Sequence, residues 1–139
     1  MSYSIQEILS YTSSIRLLYV EDNEDTRRFT LELLSRFFKD ISVAIHGKEG
    51  LELFKNESYD LILSDITMPI MDGLEMSAKI REIDKTVPII ILSAHNETHY
   101  TESASNINIT EYLEKPLDIS ELINTLNKII RIQEERILL

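Results

Sequence analysis

Three carboxylates, one hydroxyl and one ammonium stand at the ends of short apolar runs: Glu21-Asp22, Asp65, Ser93 and Lys115. Carboxylates within a few ångströms of one another repel, and raise each other's pKa unless a cation intervenes. Donors that are all oxygen favour a hard cation. Mg2+ typically takes one or two carboxylates together with waters and a phosphate oxygen. Singly, each position has a bland reading, because acidic turns cap helices and Lys-Pro closes loops. Five such residues at four predicted strand ends make coincidence a poor account.

The elements that must position them follow from hydropathy. Residues 15–20 are β-rich and run into the acidic turn 21–25. A helix to about Phe38 places Phe29, Leu33 and Phe37 on one face, with Asn23 or Asp25 as its cap. Residues 41–45 alternate like a strand near an edge. Residues 47–56 put Leu51 and Phe54 on one helical face, although Gly50 costs that helix about 1 kcal/mol relative to Ala. The run 61–63, ending at Ser64-Asp65, has the continuous apolar character of a strand buried on both faces.

A turn-rich loop over 66–73 precedes a helix with Met76, Ile80 and Ile83 at i, i+4 and i+7. Residues 87–92 are the most strand-like run, with Pro88 at its mouth. The mostly polar stretch 96–106 predicts a weakly anchored helix. Residues 109–113 form a fifth strand closed by Glu114-Lys115-Pro116, and from Asp118 onward Ile119, Leu122, Ile123, Leu126, Ile129 and Ile130 trace a helical stripe. Strict β-α alternation implies right-handed crossovers and a parallel sheet covered on both faces. The expected architecture is α/β: a three-layer, doubly wound, five-stranded parallel sheet with five helices. In such sheets ligands bind outside the carboxyl ends of the strands.

Composition narrows the field. The 139 residues suit one domain, and 43% hydrophobic with 27% charged residues is the mix of a soluble globular protein. A formal charge of -10 argues against direct binding to nucleic acid or to an anionic membrane. The absence of Cys excludes disulfides, thiolate metal sites and Cys nucleophiles. With neither a signal peptide nor a membrane-length apolar run, the expected setting is cytoplasmic.

The chain resembles a two-component response-regulator receiver domain of CheY-like, flavodoxin-like fold. The resemblance is carried by Leu18-Tyr19-Val20-Glu21-Asp22-Asn23 and by Asp60-Leu61-Ile62-Leu63-Ser64-Asp65-Ile66-Thr67-Met68-Pro69. Met71-Asp72-Gly73, Ile91-Leu92-Ser93-Ala94 and Tyr112-Leu113-Glu114-Lys115-Pro116 complete it, in the family's order and spacing. It implies strand order 2-1-3-4-5 and a division into residues 1–14 as an N-terminal extension, 15–130 as the receiver and 131–139 as a C-terminal helix extension or linker.

By the same resemblance Asp65 is the phosphoacceptor, charged by a sensor histidine kinase or a phosphotransfer protein. Asp22, Asp65 and the backbone carbonyl of Thr67 would ligate Mg2+ (or Mn2+), with Glu21 acting through a bound water. Lys115 would pair with Asp65 and then with the phosphoryl group. Ser93 would turn inward to a phosphoryl oxygen and Tyr112 would follow it, changing the face made by that fold's fourth helix, fifth strand and fifth helix. Thr67 and His95 resemble the positions that tune dephosphorylation. The implied protein is a signalling switch, not an enzyme acting on outside substrates.

Rival classes fit less well. A haloacid-dehalogenase-type phosphohydrolase would carry Asp-x-Asp after the first strand, whereas Asp65 follows the third and Thr67 replaces the second carboxylate. A flavodoxin-type flavin site would want a Ser/Thr-rich phosphate loop where Glu21-Asp22 repels phosphate. A module that has lost phosphorylation would not keep every catalytic position filled. His95 and His99 lack the Glu of the zinc-protease pattern and read as surface residues.

At the start of the chain, Ser4-Ile5-Gln6-Glu7 has capping-box form and predicts a short helix. At the other end the apolar stripe runs on to Ile137, Leu138 and Leu139. These two segments together suggest self-association as a homodimer.

Overall fold

The structure is a computed structural model that describes residues 2–94 and 106–138. Apart from Asn106, the helix expected over 96–106 lies outside the described residues, as do His95 and His99. Five strands form one parallel sheet: β1 (Arg16–Val20), β2 (Asp40–Ala44), β3 (Leu61–Asp65), β4 (Ile89–Ser93) and β5 (Glu111–Glu114). Their order is β2-β1-β3-β4-β5, as expected. The helices among the described residues are α1 (Ile5–Ser13), α2 (Glu24–Leu34), α3 (Gly47–Asn56), α4 (Gly73–Ile83) and α5 (Ile119–Leu138).

Strand periodicity splits the core into two layers, since successive side chains leave opposite faces of the sheet. Leu17, Tyr19, Leu61, Leu63, Ile90 and Leu92 enter the layer beneath α1, α2 and α5. Leu18, Val20, Ile62, Ile89 and Ile91 enter the layer beneath α3 and α4. β3 is buried at every position, whereas edge strand β2 is fully buried only at Ala44. Gly50 suits α3: a Cβ there would lie 2.7 Å from Met76 Sδ and 3.0 Å from Val20 Cγ2, so a larger residue would require those side chains to shift.

Helix phase departs from the sequence reading in two places. α2 ends at Leu34, where the Ser35 hydroxyl donates to Leu31 O at 2.6 Å, and does not run on to Phe38. It buries Thr30 and Leu34, while Phe29 is 58% exposed; Phe37 and Phe38 reach the core from the loop beyond. A four-residue spacing marks a stripe only while the helix lasts, and Phe37 lies past its end. Likewise α4 buries Met76, Ser77 and Ile80, but Ile83 is 54% exposed at the helix's last residue. β5 begins at Glu111, two residues later than expected, after Asn108 takes a left-handed φ of 62°.

The capping box at Ser4 is present: its hydroxyl accepts from Glu7 N–H at 3.1 Å and its own N–H donates to Glu7 Oε1 at 2.9 Å. α1 then packs onto the chain's own sheet and last helix. Ile8 is fully buried, and the Thr12 hydroxyl donates to Phe37 O at 2.6 Å. Tyr3 N–H donates to Asn127 Oδ1 at 2.6 Å, and the Tyr3 hydroxyl donates to Glu134. Ile8→Ala should lower the unfolding free energy by about 2–4 kcal/mol, read as a shifted denaturant midpoint, because it opens a cavity in a shared core. An unshifted midpoint would mean that α1 adds nothing to the fold.

Candidate functional site

Register gathers the chemistry at one edge. Val20 lies opposite Ser64 across β1 and β3, so the next residues, Glu21 and Asp65, leave the sheet side by side. Glu21 N–H donates to Ala44 O at 3.0 Å, carrying the ladder one residue past β1. On the other side Lys115 N–H donates to Ser93 O at 2.8 Å, which seats the lysine beside the end of β4.

Carboxylate oxygens of Glu21, Asp22 and Asp65 lie within 4.8 Å of one another, with Glu21 and Asp65 buried and Asp22 exposed. Lys115 Nζ stands 2.9 Å from Asp65 Oδ1 and 3.0 Å from Glu21 Oε1. Both contacts are ion pairs rather than aligned hydrogen bonds, and Glu21 Oε1 is buried with charge compensation but without a donor aimed at it. One ammonium thus faces two buried carboxylates and a third at their rim. Burial, and then the charge of Glu21, push Asp65 up to about 7 despite the opposing pull of Lys115. For Lys115 burial pulls downward, yet the close contact and charge of Asp65, with Glu21, more than offset it and the ammonium is raised. Both directions are consistent with an excess of negative charge, and with Lys115 as the group that stays charged.

Of the remaining sequence-nominated residues, Thr67, Ser93 and Tyr112 are described. Thr67 is exposed two residues beyond Asp65. Ser93, the last residue of β4, is half-buried. Tyr112, half-buried in β5 opposite Ile91, packs against the layer of α3 and α4, three residues before Lys115. His95 falls outside the described residues.

Supporting residues were less visible in the sequence. Arg27, from the first turns of α2, donates from Nη1 to Glu21 O at 3.0 Å and to Asp22 O at 3.3 Å, and so holds the acidic turn. A cation a few residues past an acidic pair is its only sequence signal. The Ser64 hydroxyl donates to Asp65 O at 2.8 Å, and Ile66 N–H donates to Asp65 Oδ1 at 2.9 Å. Gly73 N–H donates to Ile66 O at 2.7 Å, drawing the start of α4 against the end of β3.

An acidic cluster of this kind, at the carboxyl edge of a 2-1-3-4-5 sheet with a lysine reaching into it, defines a class of phosphorylation-dependent signalling domain. Residues 17–127 match the model of the response regulator receiver domain, and the chain belongs to that family. It is 34% identical over 121 residues to Response regulator ArlR of Staphylococcus saprophyticus, an alignment covering 87% of this chain and 54% of that protein. The chain therefore spans about half the length of the curated relatives it matches.

Among solved structures it is similar to the receiver domain of the Francisella response regulator 1452. That comparison gives a TM-score of 0.74 at 30% identity and covers 86% of this chain and 98% of the other. A chain of the CheX-CheY-BeF3-Mg complex from Borrelia burgdorferi gives a TM-score of 0.75 at 27% identity, covering 84% and 89% respectively. Among the described residues no helix is long and apolar enough to cross a membrane.

Proposed function

We propose that Asp65 accepts a phosphoryl group from a histidine kinase or phosphotransfer protein in the cytoplasm, and that the modified domain then controls a partner or a fused output. The supporting observation is Lys115 Nζ within 3.0 Å of both Asp65 and Glu21, in a cluster whose donors are all oxygen. An Asp65 carboxylate oxygen attacks phosphorus, the P–N bond of the donor phosphohistidine breaks, and its electron pair goes to the imidazole nitrogen, which takes up a proton. Such transfers need positioning and charge neutralisation more than covalent chemistry from the protein.

Oxygen-only donors and the unserved Glu21 Oε1 fit Mg2+ (or Mn2+), held by Asp22, Asp65 and the Thr67 carbonyl, with Glu21 acting through water. The ion would neutralise charge on the transferring phosphoryl oxygens. Lys115 trades its contact with Asp65 for one with the new phosphoryl group, as a compact charge on a flexible stem can. Ser93 donates to a phosphoryl oxygen and Tyr112 follows it inward, altering the face that includes β5 and α5. Thr67 and His95 set how fast water removes the group. The domain phosphorylates and dephosphorylates itself but turns over no outside substrate.

The reading is tested with acetyl phosphate and intact-mass spectrometry. With Mg2+ the chain should gain one adduct of about 80 Da, the added phosphoryl; with a chelator it should gain none. No adduct from any phosphoryl donor would reduce the chain to a binding module that keeps the fold alone. Self-association belongs to the same proposal, supported by exposed Ile5 and Leu9 on α1 and Ile137 on α5. A monomeric mass at micromolar concentration, with and without beryllofluoride, would remove it.

A further inference from the structure

At the edge of the sheet opposite the acidic cluster, the approaches to β4 and β5 and the outer turns of α5 enclose a pocket of about 280 Å³. Three cations line it, Arg81 from α4 and Lys128 and Arg136 from α5, and no carboxylate is among its described lining residues. The chain as a whole has a net charge of -10, so positive charge is concentrated here against the trend of the molecule.

The cationic heads are anchored chiefly by neutral groups. Arg81 donates to the backbone carbonyls of Val87 at 2.7 Å, Asn108 at 2.8 Å, Ile107 at 3.1 Å and Asp84 at 3.2 Å. Arg136 Nη1 donates to Thr86 O at 3.1 Å. Lys128 Nζ donates to Thr110 O at 3.0 Å and also meets Glu111 Oε2 at 3.3 Å. Carbonyls orient the two guanidinium heads without cancelling their charge, while Glu111 offsets part of the charge of Lys128. Burial lowers the Arg81 guanidinium, and the charge of Arg136 adds to that against the pull of Asp84, so two like charges are held near each other. Lys128 and Arg136 both lie beyond residue 127, where the family match ends. The pocket therefore depends on parts of this chain outside the matched span.

We propose that this pocket binds a small phosphorylated compound, with its phosphoryl group among Arg81, Lys128 and Arg136 and its organic body on Pro88, Ile109 and Ile129. A guanidinium fork matches phosphate oxygens in geometry as well as charge. Arg136 has N–H groups to spare, Arg81 adds its charge and the one N–H left beyond its four carbonyl contacts, and a dianion relieves the mutual repulsion of the cations. The apolar floor favours a ligand with a carbon skeleton over the bare ion. The site needs no divalent metal and lies at the far end of the strands from Asp65, so the two sites are separable by experiment.

Inorganic phosphate, pyrophosphate and adenosine monophosphate are titrated calorimetrically into Asp65→Asn protein in chelator, against sodium chloride of matched ionic strength. At least one should bind saturably. The added pair Lys128→Gln and Arg136→Gln should weaken that binding on the order of tenfold or more, while the carbonyl clamp of Arg81 is kept. Circular dichroism of that variant checks that it is folded. No saturable binding by any of the three, or undiminished binding in the folded variant, overturns the proposal. Because phosphorylation of Asp65 is not used, either outcome leaves the acetyl phosphate result standing on its own.

Discussion

Asn in place of Asp65 should give no adduct with acetyl phosphate and, without metal, a protein more stable than the native chain above about pH 7. The first half follows from removing the nucleophilic oxygen. The second comes from charge. Asp65 titrates at about 7 in the folded chain against an ordinary 3.8, with burial the largest cause and the carboxylate of Glu21 adding to it. A carboxyl whose folded pKa is raised holds its proton more tightly folded than unfolded. Its ionisation therefore weakens the fold as pH climbs from about 4 to about 7, and the loss persists at higher pH.

A shift of that size corresponds to about 4 kcal/mol as a ceiling. Lys115 loses a charged partner in the variant, though it keeps Glu21 at 3.0 Å, so a net gain of about 2 kcal/mol is the expectation. Urea unfolding across pH measures it: the gap should close as pH falls through about 4, where the native carboxyl is protonated in both states. Mg2+ should narrow the gap from the other direction by stabilising the native chain more. An adduct on the Asn variant, or equal stability at high pH, would refute the role given to Asp65.

Gly73→Ala carries the second large effect. A Cβ there would stand 1.9 Å from Asp65 O and 3.0 Å from Ser64 Oγ. The nearer atom is backbone at the end of a buried strand, so it cannot rotate away, and either β3 or the first turn of α4 must move. The expected cost is about 3 kcal/mol or more, at the upper end for overpacked sites. The displaced atoms adjoin the acceptor carboxylate, so the Mg2+-dependent adduct should also form far more slowly in the fraction that remains folded. Native-like stability together with a native-like adduct rate would show that the contact is readily relieved.

The residues that the structure brings together were legible because strand ends can be read from hydropathy, and Glu21, Asp65 and Lys115 each follow an apolar run. What holds them was mostly not. Gly73 reads locally as an ordinary turn residue after Asp72, and its necessity arises only once β3 delivers the Asp65 carbonyl beside it. Arg27 looks like any helical cation until the acidic turn folds back within its reach. Helix rotation failed at Phe29 and Ile83, where apolar spacing matched a stripe but Thr30, Leu34 and Ser77 took the buried positions. Small polar side chains that bury against a sheet leave little trace in a hydropathy pattern. The start of α1 was legible from its capping box, but its docking depends on Phe37 and Asn127, remote in sequence.

That docking fastens the molecule like a clasp. Tyr3 and Glu134 are 131 positions apart yet joined directly, and Tyr3 also grips Asn127. Opening either outer segment removes the other's support, so the two should loosen as one cooperative unit. A torque applied to the far turns of α5 is thereby shared with the opening segment of the chain, and slow amide exchange in both should be lost in step.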